Sequence, residues 1–312
     1  MVTIETFVTH TLHGLQYGFI LFLIASGLTI ILGILDVLNL AHGELFALGA
    51  YVGFSVLGYL TGLVGPPSGP AEQAGFLALV LVGALLTALV MVPVGVLIET
   101  VLLRPIYERD EVYQLVLTFA LLLLVKDFNK FAWGPQPLRV QGVYSGINSI
   151  PTSELVGLSY PTYNFVVIVV GAVVVAGLFW FFERTKTGRI IRATAIDREM
   201  ATAIGVDTGR TFTLVFALGA FFAGFAGAMA LPPMNASLDM GAEPLVLSFV
   251  VIVIGGLGSL QGAFVAALSV GLLTNWATWL YPAGELAAPF AIMAVLLLVK
   301  PEGLFGTWGE TE

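Results

Sequence analysis

Charged side chains divide the chain into long apolar runs. Stretches without Asp, Glu, Lys or Arg cover 6–35, 45–71, 73–98, 112–125, 155–182, 211–238, 244–284 and 286–299, together two thirds of the sequence. Crossing the hydrocarbon core takes about 20 apolar residues, so several of these runs predict membrane-spanning helices. Barrel strands would show segments of ~10 residues with alternating polarity, not solid apolar runs. The pattern therefore predicts an all-α, polytopic membrane helix bundle, one transmembrane domain over 1–312, with eight or nine crossings.

Two details of the pattern predict how the bundle is built. Gly219, Ala223 and Gly227 recur every four residues, as do Gly49/Gly53 and Gly258/Gly262/Ala266. Such stripes let helix backbones approach closely in lipid. The run 244–284 is too long for one helix and contains Gly255-Gly256-Leu257-Gly258-Ser259. Glycine costs a helix interior about 1 kcal/mol relative to alanine, so a helix is expected to break there. Broken helices at membrane depth line cavities and mark transport paths, which makes Gly255, Gly256 and Gly258 candidate path residues. A short cytoplasmic turn between two ordinary spans is the alternative.

Charge sets the orientation. Six of the twelve Lys and Arg residues lie between Glu183 and Arg210, which places the loop 183–210 in the cytoplasm. The segment 99–111 is then also inside, and 129–161 forms an irregular extracytoplasmic loop rich in Gly, Pro, Ser and Asn. The N-terminus is expected outside and the C-terminus, with Lys300, in the cytoplasm. Residues 1–10 lack a basic segment and a cleavage signal, so the first run is expected to remain as a span.

Two polar segments stand out. Asp36-Val37-Leu38-Asn39-Leu40-Ala41-His42-Gly43-Glu44 lies between apolar runs with no basic residue nearby. Polar groups at membrane depth are costly and often functional, so Asn39, His42 and Glu44 are candidate path residues. A solvated turn between the first two spans is the alternative. Within 185–210, Thr187 is positioned to cap a helix starting near Gly188, and Gly205 to end it. Ala193, Ile196, Met200, Ala203 and Ile204 follow helical spacing, with Arg189, Arg192, Arg198 and Glu199 on the polar side. Such a helix either lies on anionic lipid or presents its apolar face to a groove of a partner. Three carboxylates (Asp197, Glu199 and Asp207) dilute the basic charge and favour the protein partner.

Composition narrows the chemistry. Only 10% of residues are charged, against about 25% in soluble domains. With no cysteine and three histidines, neither disulfides nor a dedicated metal site is expected. A net charge of −8 argues against nucleic acid. The sequence holds no phosphate loop of the GxxxxGK[ST] type and no Ser/His/Asp or HExxH arrangement, so no catalytic residue is assigned. The apolar runs contain no carboxylate or lysine, which weakens a proton- or sodium-coupled carrier.

The segments ILDVLNLAHGELFALGAY, IETVLLRPIYER, TGRIIRATAIDREMATAIGVDTGR, VIGGLGSLQGA and KPEGLFG occur in this order. Together they resemble the H-type permease subunit of branched-chain amino acid ABC importers, over about residues 12–306. The resemblance implies a multi-pass protein of a prokaryotic plasma membrane that works with a related M-type permease, two cytoplasmic ATPases and an extracytoplasmic substrate-binding protein. ATP and Mg would be bound by those ATPases, with no cofactor in this chain. It also implies that 187–205 is the coupling segment, with Arg192, Ala193, Ile196, Met200, Ala203 and Ile204 in the ATPase dock. Urea and short-amide importers carry the same motifs. A path with few charges suits a neutral or zwitterionic solute, and a stand-alone carrier or a membrane scaffold is the competing class.

Overall fold

The computed structural model describes residues 4–67, 69–140, 142–148, 160–284 and 287–305. These residues are helical, and strand pairing among them is limited to one isolated bridge between Leu138 and Ala236. The helices are α1 (Ile4–Leu35), α2 (His42–Val64), α3 (Pro70–Leu97), α4 (Glu111–Trp133), α5 (Val143–Asn148), α6 (Thr162–Arg184), α7 (Lys186–Ile196), α8 (Arg198–Ala203), α9 (Thr208–Ala230), α10 (Ala242–Gly255), α11 (Leu260–Leu280) and α12 (Ala287–Val299). Among the described residues, α1, α2, α6, α9, α11 and the segment Glu72–Ile106 are long and apolar enough to cross a membrane, while α10 and α12 are shorter apolar helices.

Small residues set the packing. α1 and α11 run antiparallel, with Gly14 against Gly271 and Leu272 and Gly18 against Ala267 and Leu268, while Gly33 meets Gly258 in the turn before α11. α9 lies between α2 and α3. Gly49 faces Gly224 and Gly53 faces Ala228, whereas Gly95 of α3 meets Phe216, Ala217 and Ala220. A Cβ on Gly49 would sit 2.5 Å from the Gly224 backbone. In lipid no hydrophobic force drives helices together, so this close approach is what holds the bundle.

These contacts sort the helix termini into two ends. Leu35, Glu111, Arg184, Thr208, Gly255, Leu260 and Val299 lie at the end that carries the arginine-rich segment, the arginine end. Val64, Trp133, Thr162, Ala230 and Leu280 lie at the far end. There the Tyr163 hydroxyl donates to the Met229 carbonyl at 2.7 Å, and Trp133 Nε1 to Ser55 Oγ at 2.8 Å. The helix α4 reaches Trp133, so the expected loop from 129 begins at Gly134, where φ is +87°. Its Val143–Asn148 portion is helical, and 149–159 lie outside the described residues.

Two helices begin inside the bundle. His42 opens α2, yet its Nε2 lies 3.0 Å from the Ile24 carbonyl, eleven residues before the end of α1. At 1.5 Å per residue that is about 16 Å along the axis, so 36–41 must double back beside α1. Similarly, 231–241 return from the far end to bring Gly241 against Gly43. From this meeting point α2 runs to the far end and α10 to the arginine end.

Candidate translocation path and docking face

The segment expected to dock is two helices, not one. Thr185, rather than Thr187, caps α7, its hydroxyl accepting from the Gly188 N–H at 3.0 Å. At Asp197 the backbone extends (φ −149°, ψ 99°), and its carboxylate caps α8 by accepting from the Met200 N–H at 2.8 Å. Residues on the expected single face are thereby split between two helices. Arg192, Ala193, Ile196, Met200, Ala203 and Ile204 are all exposed, with Ile196, Met200 and Ile204 at 87%, 59% and 72%. Gly188, Ile191, Thr194 and Ala201 face inward and are buried. Gly205 follows at φ +90°.

Asn39, His42 and Glu44 are brought together at the start of α2, buried to 1%, 0% and 4% exposure. They are no solvated turn. The Ile24 carbonyl can only accept, so His42 Nε2 carries the proton, and Nδ1 is left as a buried acceptor without a partner. Asn39 Oδ1 accepts from the Ala41 N–H at 3.2 Å, while Asn39 Nδ2 and Glu44 Oε2 have no hydrogen-bond partner. The three do not share a site with the glycine break. Gly256 and Gly258 (φ +98° and +75°) form a turn at the arginine end, where Gly258 borders a cavity of about 210 Å³ with Gly33, Ile191 and Arg192. The backbone N–H groups of Leu304 and Phe305 donate to the Ile254 and Gly255 carbonyls there, at 2.8 and 3.0 Å.

A larger cavity escaped the sequence reading. It occupies about 560 Å³ between α1, the 231–241 return, α10 and α11, reaching from His13 and Thr278 near the far end inward to Ile24 and Phe46. Such a volume is that of a small-molecule site. Its acids, Asp239 and Glu243, are the charged pair separating the apolar runs 211–238 and 244–284, a signal present in the sequence. Lys126 reaches Asp239 at 2.6 Å from α4.

At the arginine end a buried network joins three elements. After α3 the chain makes a π turn (Ile98–Leu103) and a 3-10 turn (Arg104–Ile106). Glu99, fully buried, accepts from Arg104 Nε (3.2 Å), Arg104 Nη2 (2.9 Å), the Tyr107 hydroxyl (3.2 Å) and Thr213 Oγ1 (2.8 Å). Burial, then the Glu99 charge, push the Tyr107 phenol up from its usual value, so it stays a donor. Phe212 packs edge-on to Tyr107 and carries the Arg198 guanidinium 4.6 Å above its ring, which links the network to α8. No group of three or more His, Asp or Glu converges among the described residues.

The described residues form a small-residue bundle with two helices starting in its interior, a cavity at that depth and exposed apolar residues on α7 and α8, which is the build of a membrane transport subunit. Residues 10–299 match the family described as branched-chain amino acid transport system / permease component, and the chain belongs to it. It is thus an integral, multi-pass membrane permease and not an enzyme. The high-affinity branched-chain amino acid transport system permease protein LivH of Escherichia coli (strain K12) is 28% identical over 304 residues, spanning 96% of each chain. LivH of Salmonella typhimurium is 26% identical over 303 residues, again 96% of each, and BraD of Pseudomonas aeruginosa is 26% identical over 312 residues, 98% of each.

Proposed function

We propose that this chain is the transmembrane permease subunit of an ATP-driven importer of branched-chain and other hydrophobic amino acids. The observation that carries the reading is the exposed apolar surface of α7 and α8 at the arginine end. A cytoplasmic ATPase would cover Ile196, Met200 and Ile204 and supply ATP and Mg chemistry that this chain lacks. The positive-inside rule puts that end in the cytoplasm, the far end and the N-terminus outside, and the C-terminus inside. Adding α4, α10 and α12 to the six long spans favours nine crossings. A second, M-type permease would complete the pathway, with a binding protein delivering solute at the far end. The substrate class follows that of the branched-chain amino acid permeases to which the chain is similar, and the mostly apolar cavity suits it.

In this reading Asn39, His42 and Glu44 gate the path from behind the cavity wall, since His42 holds Ile24 and Ile24 lines the cavity. The Gly255, Gly256 and Gly258 turn forms its cytoplasmic mouth beside α7. The native chain has no cysteine, so a single cysteine at 39 can be followed by thiol labelling. Its reactivity is expected to change at least severalfold between nucleotide-free and ATP-bound complex; equal labelling in every state would remove these residues from the gate.

The function itself is tested by purifying the chain with its partner permease, ATPases and binding protein and reconstituting them in vesicles. ATP-dependent accumulation of labelled leucine, unaffected by excess urea, is expected. Uptake preferring urea or acetamide would move the protein to the short-amide importers, and uptake without ATPases would make it a carrier.

A further inference from the structure

The wall of the 560 Å³ cavity is not held equally on all sides. Its helices are fixed by backbone contact, α1 to α11 through Gly14 and Gly18, and α2 to α9 through Gly49. The return 231–241, which lines the cavity with Pro233, Met234, Asn235 and Asp239, is built of turns and one bridge. Both of its ends are pinned: Ala230 closes α9, and Gly241 lies in backbone contact with Gly43. Its middle is held by residues that do not line the cavity. The N–H groups of Ala236 and Leu138 donate to each other's carbonyls at 2.8 and 2.9 Å. Arg139 Nε donates to Asn235 Oδ1 at 2.7 Å, and Lys126 pairs with Asp239 at 2.6 Å. Arg139 and Asp239 are exposed, and exposed ion pairs hold weakly. The inner part of the cavity is shut. Ile20, Leu21, Ile24 and Phe46 line it and none is more than 5% exposed, whereas His13, Gln16 and Thr278 toward the far end are half-buried.

A solute entering from the far end therefore needs one wall to move. Parting the helices would break close backbone packing, which is what holds a bundle in lipid. Moving the return gives up only its few outer contacts. We propose that 231–241 is the extracytoplasmic door of the path, and that Lys126, Leu138 and Arg139 form its latch. With both ends pinned, the middle swings away from the cavity when the latch opens, and α1, α2, α9 and α11 keep their contacts. This assignment rests on the importer reading above and adds the element that admits the solute. Lys126 and Arg139 are positioning residues: they act through Asp239 and Asn235 and touch no solute themselves.

The test uses the complete importer in vesicles, with partner permease, ATPases and binding protein, and labelled leucine. The chain has no cysteine, so a pair placed across the bridge can lock the door. A hydrogen-bonded antiparallel pair sets its Cα atoms about 5.5 Å apart, a separation that a disulfide spans. Leu138→Cys/Ala236→Cys is expected to cross-link under mild oxidant. Leucine uptake should then fall at least tenfold and return with dithiothreitol, while each single-cysteine variant ignores the oxidant. Reversal in the same sample separates a locked door from a folding defect. The latch is read with Ile20→Cys, at a position in the shut inner part. Adding Lys126→Met should raise its labelling by an impermeant thiol reagent applied at the far end severalfold. If the wild-type complex fails to import leucine on ATP, the importer reading falls and the door with it. If the wild type imports and the cross-linked complex imports as fast as the reduced one, the door is overturned and the importer reading stands. Should the cysteine pair not assemble or not cross-link, equal labelling of Ile20→Cys with and without Lys126→Met overturns it instead.

Discussion

Replacing Met200 with Asp is expected to strip the ATPases from the purified complex while the permease still inserts and folds. Ile196→Asp should do the same. Both side chains are exposed, at 59% and 87%, so neither substitution disturbs the bundle. The inward side of the segment, with Gly188 set against the Phe181 and Phe182 backbone and Ile191 at 1% exposure, is untouched. In a docked complex each new carboxylate would be desolvated without a partner, which costs about 2–5 kcal/mol of association. Micromolar binding would become millimolar or weaker at the upper end of that range. Size-exclusion profiles of the detergent-solubilised complex give the subunit ratio directly. An unchanged ratio with unchanged uptake would mean that this surface rests on lipid and that the ATPases engage elsewhere.

The helical segment around 187–205 was legible because its signal is local: 3.6-residue spacing marks a helix and separates its exposed residues from its buried ones. What the spacing could not show is that Asp197 is a cap. An aspartate inside a periodic stretch reads as part of the polar face, yet its side chain competes for the Met200 N–H and ends the helix there. The glycine stripes were legible for the same local reason, and Gly49, Gly219 and Gly227 do sit in backbone contacts. Depth was not legible. Gly255–Ser259 and Asp36–Ala41 both interrupt apolar runs, but the first is a turn at the arginine end and the second doubles back into the interior. That difference is set by what each packs against: Gly258 meets Gly33 near the end of α1, whereas His42 meets Ile24 in its middle. The cavity was missed because its lining comes from segments more than two hundred residues apart, such as Tyr17 and Glu243.

Glu99→Ala is expected to destabilise the folded permease by about 3 kcal/mol, the low end of the range for removing one partner of a buried ion pair. The low end applies because the Arg104 side chain is 44% exposed and can rehydrate, although Tyr107 and Thr213 lose their acceptor as well. Arg104→Met should cost more. It leaves the fully buried Glu99 carboxylate with two neutral donors and no counter-charge. The double variant Glu99→Gln/Arg104→Met removes both charges and should recover much of the loss, since a neutral amide still accepts from Thr213. Thermal unfolding of the purified chain in detergent supplies all three values. The position of the network gives a second expectation. Glu99 sits in a π turn, a weak point in the helix ladder, and holds that turn to Thr213 of α9. Arg198 over Phe212 connects the same place to the docking segment. In the assembled importer Glu99→Ala should therefore lower the leucine carried per ATP hydrolysed, and not the ATPase content. A variant that is destabilised but keeps wild-type stoichiometry would confine Glu99 to folding and leave the link from dock to bundle with the α7 contacts alone.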